Sequence, residues 1–224
     1  MEKRNIKSSE NLHNKRTREQ ILGAAEELFA EKGFSHTSIR DITEKAACNL
    51  AAVNYHFHGK ENLYIEVFLL HMSTIRNMRI NAVRDFLSNN SKEKTLEDLI
   101  QLFAVTFLEP FLEESGGQKL MELMMRERYD SHLPQHMFTE EIIQPVKSIM
   151  KEALSQIYPE LSDSAAELCV HSIVGQLFHL MQAQELFKEI DKTDMTILDI
   201  PKAIKHIVKF SVGGVRQFIE DKVE

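Results

Sequence analysis

The chain has 224 residues, 43% hydrophobic and 27% charged, the balance of an ordinary globular protein with room for one large domain or two small ones. Gly (8) and Pro (5) are scarce and Met (10) is plentiful, which favours helix over sheet. The formal net charge of -7 excludes a polycation, but residues 1–60 hold 10 Lys/Arg against 8 Asp/Glu and the remainder 17 against 26, so any polyanion is expected at the amino-terminal end.

Residues 1–15 are polar and basic and read as a flexible tail. Thr17 then stands as an N-cap with Gln20 completing a capping box, and Ile21, Leu22, Ala25, Leu28 and Phe29 make one apolar stripe. Gly33 suits a left-handed residue after that helix, with Phe34 as the apolar residue beyond it. Thr37 is the expected cap of a short second helix with Ile39, Ile42 and Ala46 inward. Asn49 caps a third of about two turns, ending near Phe57 before Gly59.

A long amphipathic helix starts near Lys60, with Tyr64, Val67, Phe68, His71, Ile75, Met78, Ala82 and Phe86 inward. It fades in the linker Ser88–Lys94. Thr95 and Asp98 open a helix with Leu99, Phe103, Phe107 and Phe111 on one stripe, which Ser115–Gly117 breaks. Lys119–Glu127 is helical in type. A helix over 135–157 is expected to kink or restart at Pro145 and to end at Pro159. Ser164 and Glu167 start the most apolar helix, to about Lys188, followed by the polar loop Lys188–Thr196. Pro201 suits the first turn of the last helix, where Ile204, Ile207, Val208, Ser211, Val215, Phe218 and Ile219 form the stripe. No alternating strand pattern or repeat is present, so the fold class is all-α: three short helices, then about six longer ones. The last two are unusually apolar, which suits either the centre of the bundle or a face that meets another chain.

Cys48 and Cys169 form no CxxC pair, the amino terminus lacks a secretory h-region, and no apolar run reaches the ~18 residues of a membrane span. The expectation is a reducing cytoplasm with free thiols and no membrane partner.

On a helical wheel the third helix has two faces. Val53 and Phe57, at i and i+4, turn inward; Ala51 and Tyr55 project almost opposite, with Asn54 on a flank. A short capped helix following another after a tight turn is the geometry of a helix-turn-helix. Alanines permit close backbone approach, Asn54 can pair with adenine, and Tyr55 and His56 can reach phosphate or base. Lys60, opening the next helix, adds an ammonium to free N–H groups as a phosphate clamp.

These residues carry a likeness. The stretches "ILGAAEELFAEKGF", "TSIRDI" and "NLAAVNYHFHGKENL" resemble the DNA-binding domain of the TetR family of bacterial repressors over about residues 15–68. Two positions depart from the family: Ala47, where Gly is usual in the turn, and His58, commonly a small residue or Lys. "LMELMMRERYDSHLP", "EEIIQPVKSIM" and "SIVGQLF" more loosely resemble the carboxy-terminal domain of a subgroup typified by a cephalosporin- and chloramphenicol-responsive regulator.

The resemblance implies a helix-turn-helix domain at 16–60 and a ligand-binding and dimerisation domain at 61–224. It implies phosphate contacts from Thr37 and Ser38, and phosphate or base contact from Arg40. Leu50, Ala51, Ala52, Asn54, Tyr55 and His56 form the groove face, and Lys60 holds the DNA backbone. The wheel sets Leu50 nearer the core, against the family. The implied partners are a double-stranded, palindromic DNA operator, a second copy of the chain and a small-molecule effector whose binding releases a repressor. The candidate pocket comprises Phe103, Phe107, Met121, Met124, Met125, Arg126, His171, Gln176 and His179; plain core is the alternative for the Met and Phe stripes. The candidate dimer interface comprises Ile173, Leu177, Leu180, Gly213, Gly214 and Phe218.

Three rival readings remain. An enzyme is disfavoured because GxSxG, P-loop, HExxH, CxxC and Gly-rich dinucleotide motifs are all missing from the sequence, and no cofactor is called for. A metal sensor draws on His56 and His58 and on His132 and His136 at i, i+4, but Pro134 spoils the helix that pair needs, and no metal site is assigned. An activator, or a regulator without an effector, keeps the same fold.

Overall fold

The computed structural model describes residues 2–89, 93–112, 122–127, 131–134, 136–186 and 199–220, and among them every regular element is helical. The helices are α1 (Glu2–Lys32), α2 (Ile39–Lys45), α3 (Leu50–Phe57), α4 (Lys60–Ser88), α5 (Leu96–Leu112), α6 (122–127), α7 (Gln144–Ile157), α8 (Asp163–Leu186) and α9 (Ile200–Glu220). A π-helical turn, Thr139–Ile143, runs into α7, and Pro145 lies in the first turn of α7, so the helix restarts there as the missing N–H of proline dictates. Met121, Ser115–Gly117 and the loop Lys188–Thr196 lie outside the described residues. Among those described, no helix is long and apolar enough to cross a membrane. Cys48 and Cys169 are free thiols.

The chain divides into two compact units: Met1–Ser73 with Glu114–Met137, and Thr74–Glu113 with Phe138–Glu224. The boundary falls inside α4. In the first unit Ile21, Ala25 and Phe29 of α1, Ile42 of α2, Val53 and Phe57 of α3, and Leu63, Tyr64 and Phe68 of α4 are all buried in one core. In the second, Leu99, Phe103 and Ala104 of α5, Met150 and Leu154 of α7, Ile173, Leu177 and Leu180 of α8, and Ile207 and Val215 of α9 are buried.

Four expectations at helix termini and stripes are corrected. Thr17 does not cap α1, which continues upstream to Glu2; its hydroxyl donates to the His13 carbonyl one turn back. Ser38, not Thr37, caps α2, in a full capping box with Asp41. Ser162, not Ser164, caps α8, accepting from the Ala165 N–H. On α4 the buried row beyond Ile75 runs through Arg79 and Val83, leaving Met78, Ala82 and Phe86 half-buried. Hydrophobicity put Met78 inside, and the adjacent arginine took the place.

Candidate nucleic-acid interface

The turn between α2 and α3 is set by backbone geometry. Ala47 has φ 51, and the N–H groups of Ala47 and Cys48 return to the Glu44 and Thr43 carbonyls in a Schellman arrangement. This is the strain expected of alanine in a glycine position. Asn49 then caps α3, its side chain accepting from the Ala52 N–H at 3.0 Å. At the other end His58 is left-handed at φ 59, a conformation histidine tolerates better than most residues, and its N–H closes on the Asn54 carbonyl.

These two ends fix which face of α3 turns inward. Val53 and Phe57 are buried, while Ala51 and Asn54 are exposed, Tyr55 is 69% exposed and Leu50 54%. Leu50 therefore lies on the outer face with Tyr55, against the wheel and with the family. Ala52 and His56 are half-buried on the flanks, and the His56 ring meets Tyr55 edge-on at 4.9 Å. On α2, Arg40 is exposed and its pair with Glu44 at 3.6 Å is a loose surface contact that a phosphate can replace. Ser38 is exposed, with its hydroxyl held by Asp41 at 2.7 Å. That bond and the Ser38 N–H hold the Asp41 carboxyl below its ordinary pKa.

Thr37 is corrected as a DNA contact. It is 1% exposed, its hydroxyl donates to the Leu28 and Gly33 carbonyls, and its N–H goes to Phe34. It closes the end of α1 and has no polar group to offer a phosphate. Lys60 is half-buried with its ammonium 4.0 Å from the centre of the Phe34 ring, and burial pulls its pKa below the ordinary lysine value.

A brace behind this interface was missed in the sequence. The Arg126 guanidinium donates to the Ala30 and Glu31 carbonyls at 2.9 and 2.7 Å, satisfying two of the last acceptors of α1. Glu127, buried beside it, accepts from the Tyr64 hydroxyl at 2.9 Å and from the Leu133 N–H at 2.5 Å. His132 packs on Phe34 at 4.2 Å and meets Ser35 at 3.3 Å, so it joins an aromatic cluster with Tyr64. Arg126 is thus corrected as a pocket residue. The only sequence signal was an "RER" run in an otherwise apolar stretch, which is too short to carry a direction. His136 is exposed. Among the described residues no three His, Cys, Asp or Glu side chains come together as for a metal.

The remaining candidates fall into two groups. Phe103 and Phe107 are buried in the second unit; Met124 and Met125 are half-buried in the first. His171 and His179 are exposed on α8, and the Gln176 amide donates to Ser211 of α9 at 3.2 Å. Gln176 and His179 border a groove of about 390 Å³ with Leu180, Lys202, Ala203, His206 and Ile207. Ile173 and Leu177 are corrected as interface residues: each is at most 1% exposed and packs within the chain, while Leu180, equally buried, reaches the surface only as the floor of that groove. The outer faces of α8 and α9 instead carry Leu168 (59% exposed), Phe178, Phe210 (65%), Phe218 and the exposed Gly213 and Gly214.

A capped two-turn helix, anchored on one face and studded with a leucine, an amide and a phenol on the other, after a second short helix and a tight turn, makes this a helix-turn-helix DNA-binding protein. The sequence model of the bacterial regulatory proteins of the tetR family matches residues 21–67. That of the C-terminal domain of the HTH-type transcriptional dual regulator CecR matches residues 96–215. The chain belongs to the TetR family of transcriptional regulators, with a CecR-like C-terminal domain. It is 24% identical to CecR of Shigella flexneri over 179 residues, 78% of this chain and 79% of that protein. It is 36% identical over 90 residues to the probable HTH-type transcriptional regulator YttP of Bacillus subtilis, 38% of this chain and only 40% of that protein. In fold it resembles a solved SmeT–triclosan complex, with TM-score 0.66 at 18% identity over 86% of this chain and 90% of that one.

Proposed function

We propose that this protein is a cytoplasmic repressor that binds a palindromic operator as a homodimer and is released by a small molecule in its C-terminal domain. The outer face of α3, with Tyr55 69% exposed over a fully buried Val53 and Phe57, is the observation that carries the reading. Two copies of α3 enter successive major grooves about 34–36 Å apart, reading bases through Asn54 and Tyr55 while Ser38, Arg40 and Lys60 hold phosphates. Homodimerisation uses the outer faces of α8 and α9. A β-carbon added at Gly175, Gly213 or Gly214 meets nothing within 4 Å, so packing within the chain gives no reason for a glycine, whereas close approach of another helix does. The 390 Å³ groove shares His206 with a second one lined by Phe210, Gly213 and Gly214, which supports counting both as part of that face rather than as the effector site.

Release follows from α4, one unbroken helix that starts two residues after the cap of α3 and whose later residues belong to the second compact unit. An effector acts only if it favours one setting of α4 over another; about 2.7 kcal/mol of coupling weakens operator affinity ~100-fold. The SmeT complex with triclosan is a precedent for small-molecule binding in this fold. Footprinting on the DNA upstream of the protein's own gene, joined to an in vitro transcription assay, tests the reading. A two-fold site with reduced transcription is expected. Increased transcription from the same site makes the protein an activator, and absence of any specific site refutes the proposal.

A further inference from the structure

Arg79 is the one buried side chain of the second unit whose charge the described residues leave unanswered. It is 4% exposed, its Nη2 donates to the Phe107 carbonyl at 2.9 Å, and its guanidinium lies 4.0 Å from the centre of the Phe107 ring. Its Nε has no hydrogen-bond partner, and among the described residues no carboxylate forms an ion pair with it. Burial alone brings its pKa down to about 9, so at neutral pH it remains a cation facing one neutral carbonyl. Buried charges are ordinarily paired, because desolvation costs more than one hydrogen bond returns.

The surroundings are apolar: Ile75 and Val83 lie one turn either side on α4, and Phe103 and Phe107 follow each other along α5 with ring centres 5.9 Å apart and ring planes tilted by 59°. Pro110, inside α5, supplies no N–H to the Thr106 carbonyl, and the next carbonyl along, that of Phe107, takes the guanidinium.

We propose that Arg79 is the anchor for the anionic head of an effector whose apolar body packs against Phe103 and Phe107. This rests on the reading of the second unit as the effector domain. A carboxylate reaching the unpartnered Nε–H and a neighbouring Nη–H makes the bidentate pair for which a guanidinium is shaped, and supplies the counter-charge the fold lacks. A neutral molecule of the same body leaves the cation as it was.

The test uses the full-length protein, Arg79→Met and Arg79→Gln, the second keeping a donor for Phe107 without a charge. The probes are decanoate and 2-naphthoate, each against its neutral primary amide. Melting temperature and operator binding by fluorescence anisotropy are measured. At least one carboxylate should raise the melting temperature and weaken operator binding at a concentration at least about tenfold lower than its amide. Arg79→Met should melt at or above the parent without ligand, because a buried unpaired charge is gone, and should lose the tenfold preference. If either variant keeps the preference, or if the amides act as well as the carboxylates, the proposal falls while the effector reading stands. If Arg79→Met and Arg79→Gln both melt several degrees lower and no preference exists, Arg79 is only a tie on α5. If no probe of either kind changes melting or operator binding, the anionic site and the effector reading fall together.

Discussion

Helices α3 and α9 both leave side chains exposed in the single chain, and the two faces are built in opposite ways. The face of α3 is small and tipped with polar groups: Ala51 and Asn54, with the Tyr55 hydroxyl at the end of a ring that is 69% exposed. The face of α9 is bulkier and more apolar: Phe210 is 65% and Phe218 45% exposed, with Gly213 and Gly214 between them and His206 and Lys209 at its border. A helix that enters a groove needs donors and acceptors at its tip and only two anchors behind it. A helix that closes against another needs apolar area and room for the backbones to approach. Exposure is shared, and chemistry decides what each exposed face is for.

The sharpest way to break that comparison is to put a charge on the α9 face. Phe210→Glu should separate the proposed dimer, raising its dissociation constant by more than about 100-fold, since a two-fold axis through this face would lose two apolar contacts and gain two like charges. Sedimentation velocity reads this directly, and the melting curve of the monomer should change little. If the variant sediments like the parent, α9 is a free surface and the comparison fails.

The next effect belongs to the support behind α3. Arg126→Met removes both hydrogen bonds to the end of α1 and should cost about 1–2 kcal/mol of operator affinity, while dimerisation is unchanged. Titration of operator DNA with the variant checks it; unchanged affinity makes Arg126 a surface residue. Gly213→Ala is smaller and decides by its sign. In an isolated helix alanine adds about 1 kcal/mol of stability. At a close interface it weakens the dimer, so the melting temperature should fall as protein concentration falls, more steeply than in the parent.

What could be read along the chain and what could not divides by the same logic. The inner and outer faces of α3 were legible from Ala51 to Phe57 because the helix is short, capped at Asn49 and bounded by Gly59; Leu50, in the first turn, was the position the wheel set wrongly toward the core. The outer face of α8 was not: Ile173, Leu177 and Leu180 are its most apolar row, and for that reason they went to the chain's own core. The outer face proposed for contact carries Gly175 and Phe178, a weaker pattern. Thr37 and Ser38 are equally good caps on paper, and only the closure of α1 on the Thr37 hydroxyl separates them. No periodicity argument buries a cation such as Arg79, and the partners of Arg126 lie 96 and 95 residues away, beyond any local pattern.

The smallest expected effect tests the turn itself. Ala47→Gly relieves a left-handed alanine and should stabilise the first unit by about 0.5–1 kcal/mol after the entropy of glycine is set against it, visible as a rise of about 2 °C in melting. A fall would mean that the alanine makes a contact worth more than its strain.

The central claim is that the exposed face of α3 chooses the DNA sequence, and Tyr55→Ala tests it most directly. Binding of the purified variant to the footprinted operator and to scrambled DNA of equal length should be compared at one salt concentration with the parent. Affinity for the operator should fall to the level of scrambled DNA while that level and the melting temperature stay as they were, since Tyr55 is 69% exposed and its ring meets that of the half-buried His56 edge-on. Undiminished preference for the operator would contradict the claim.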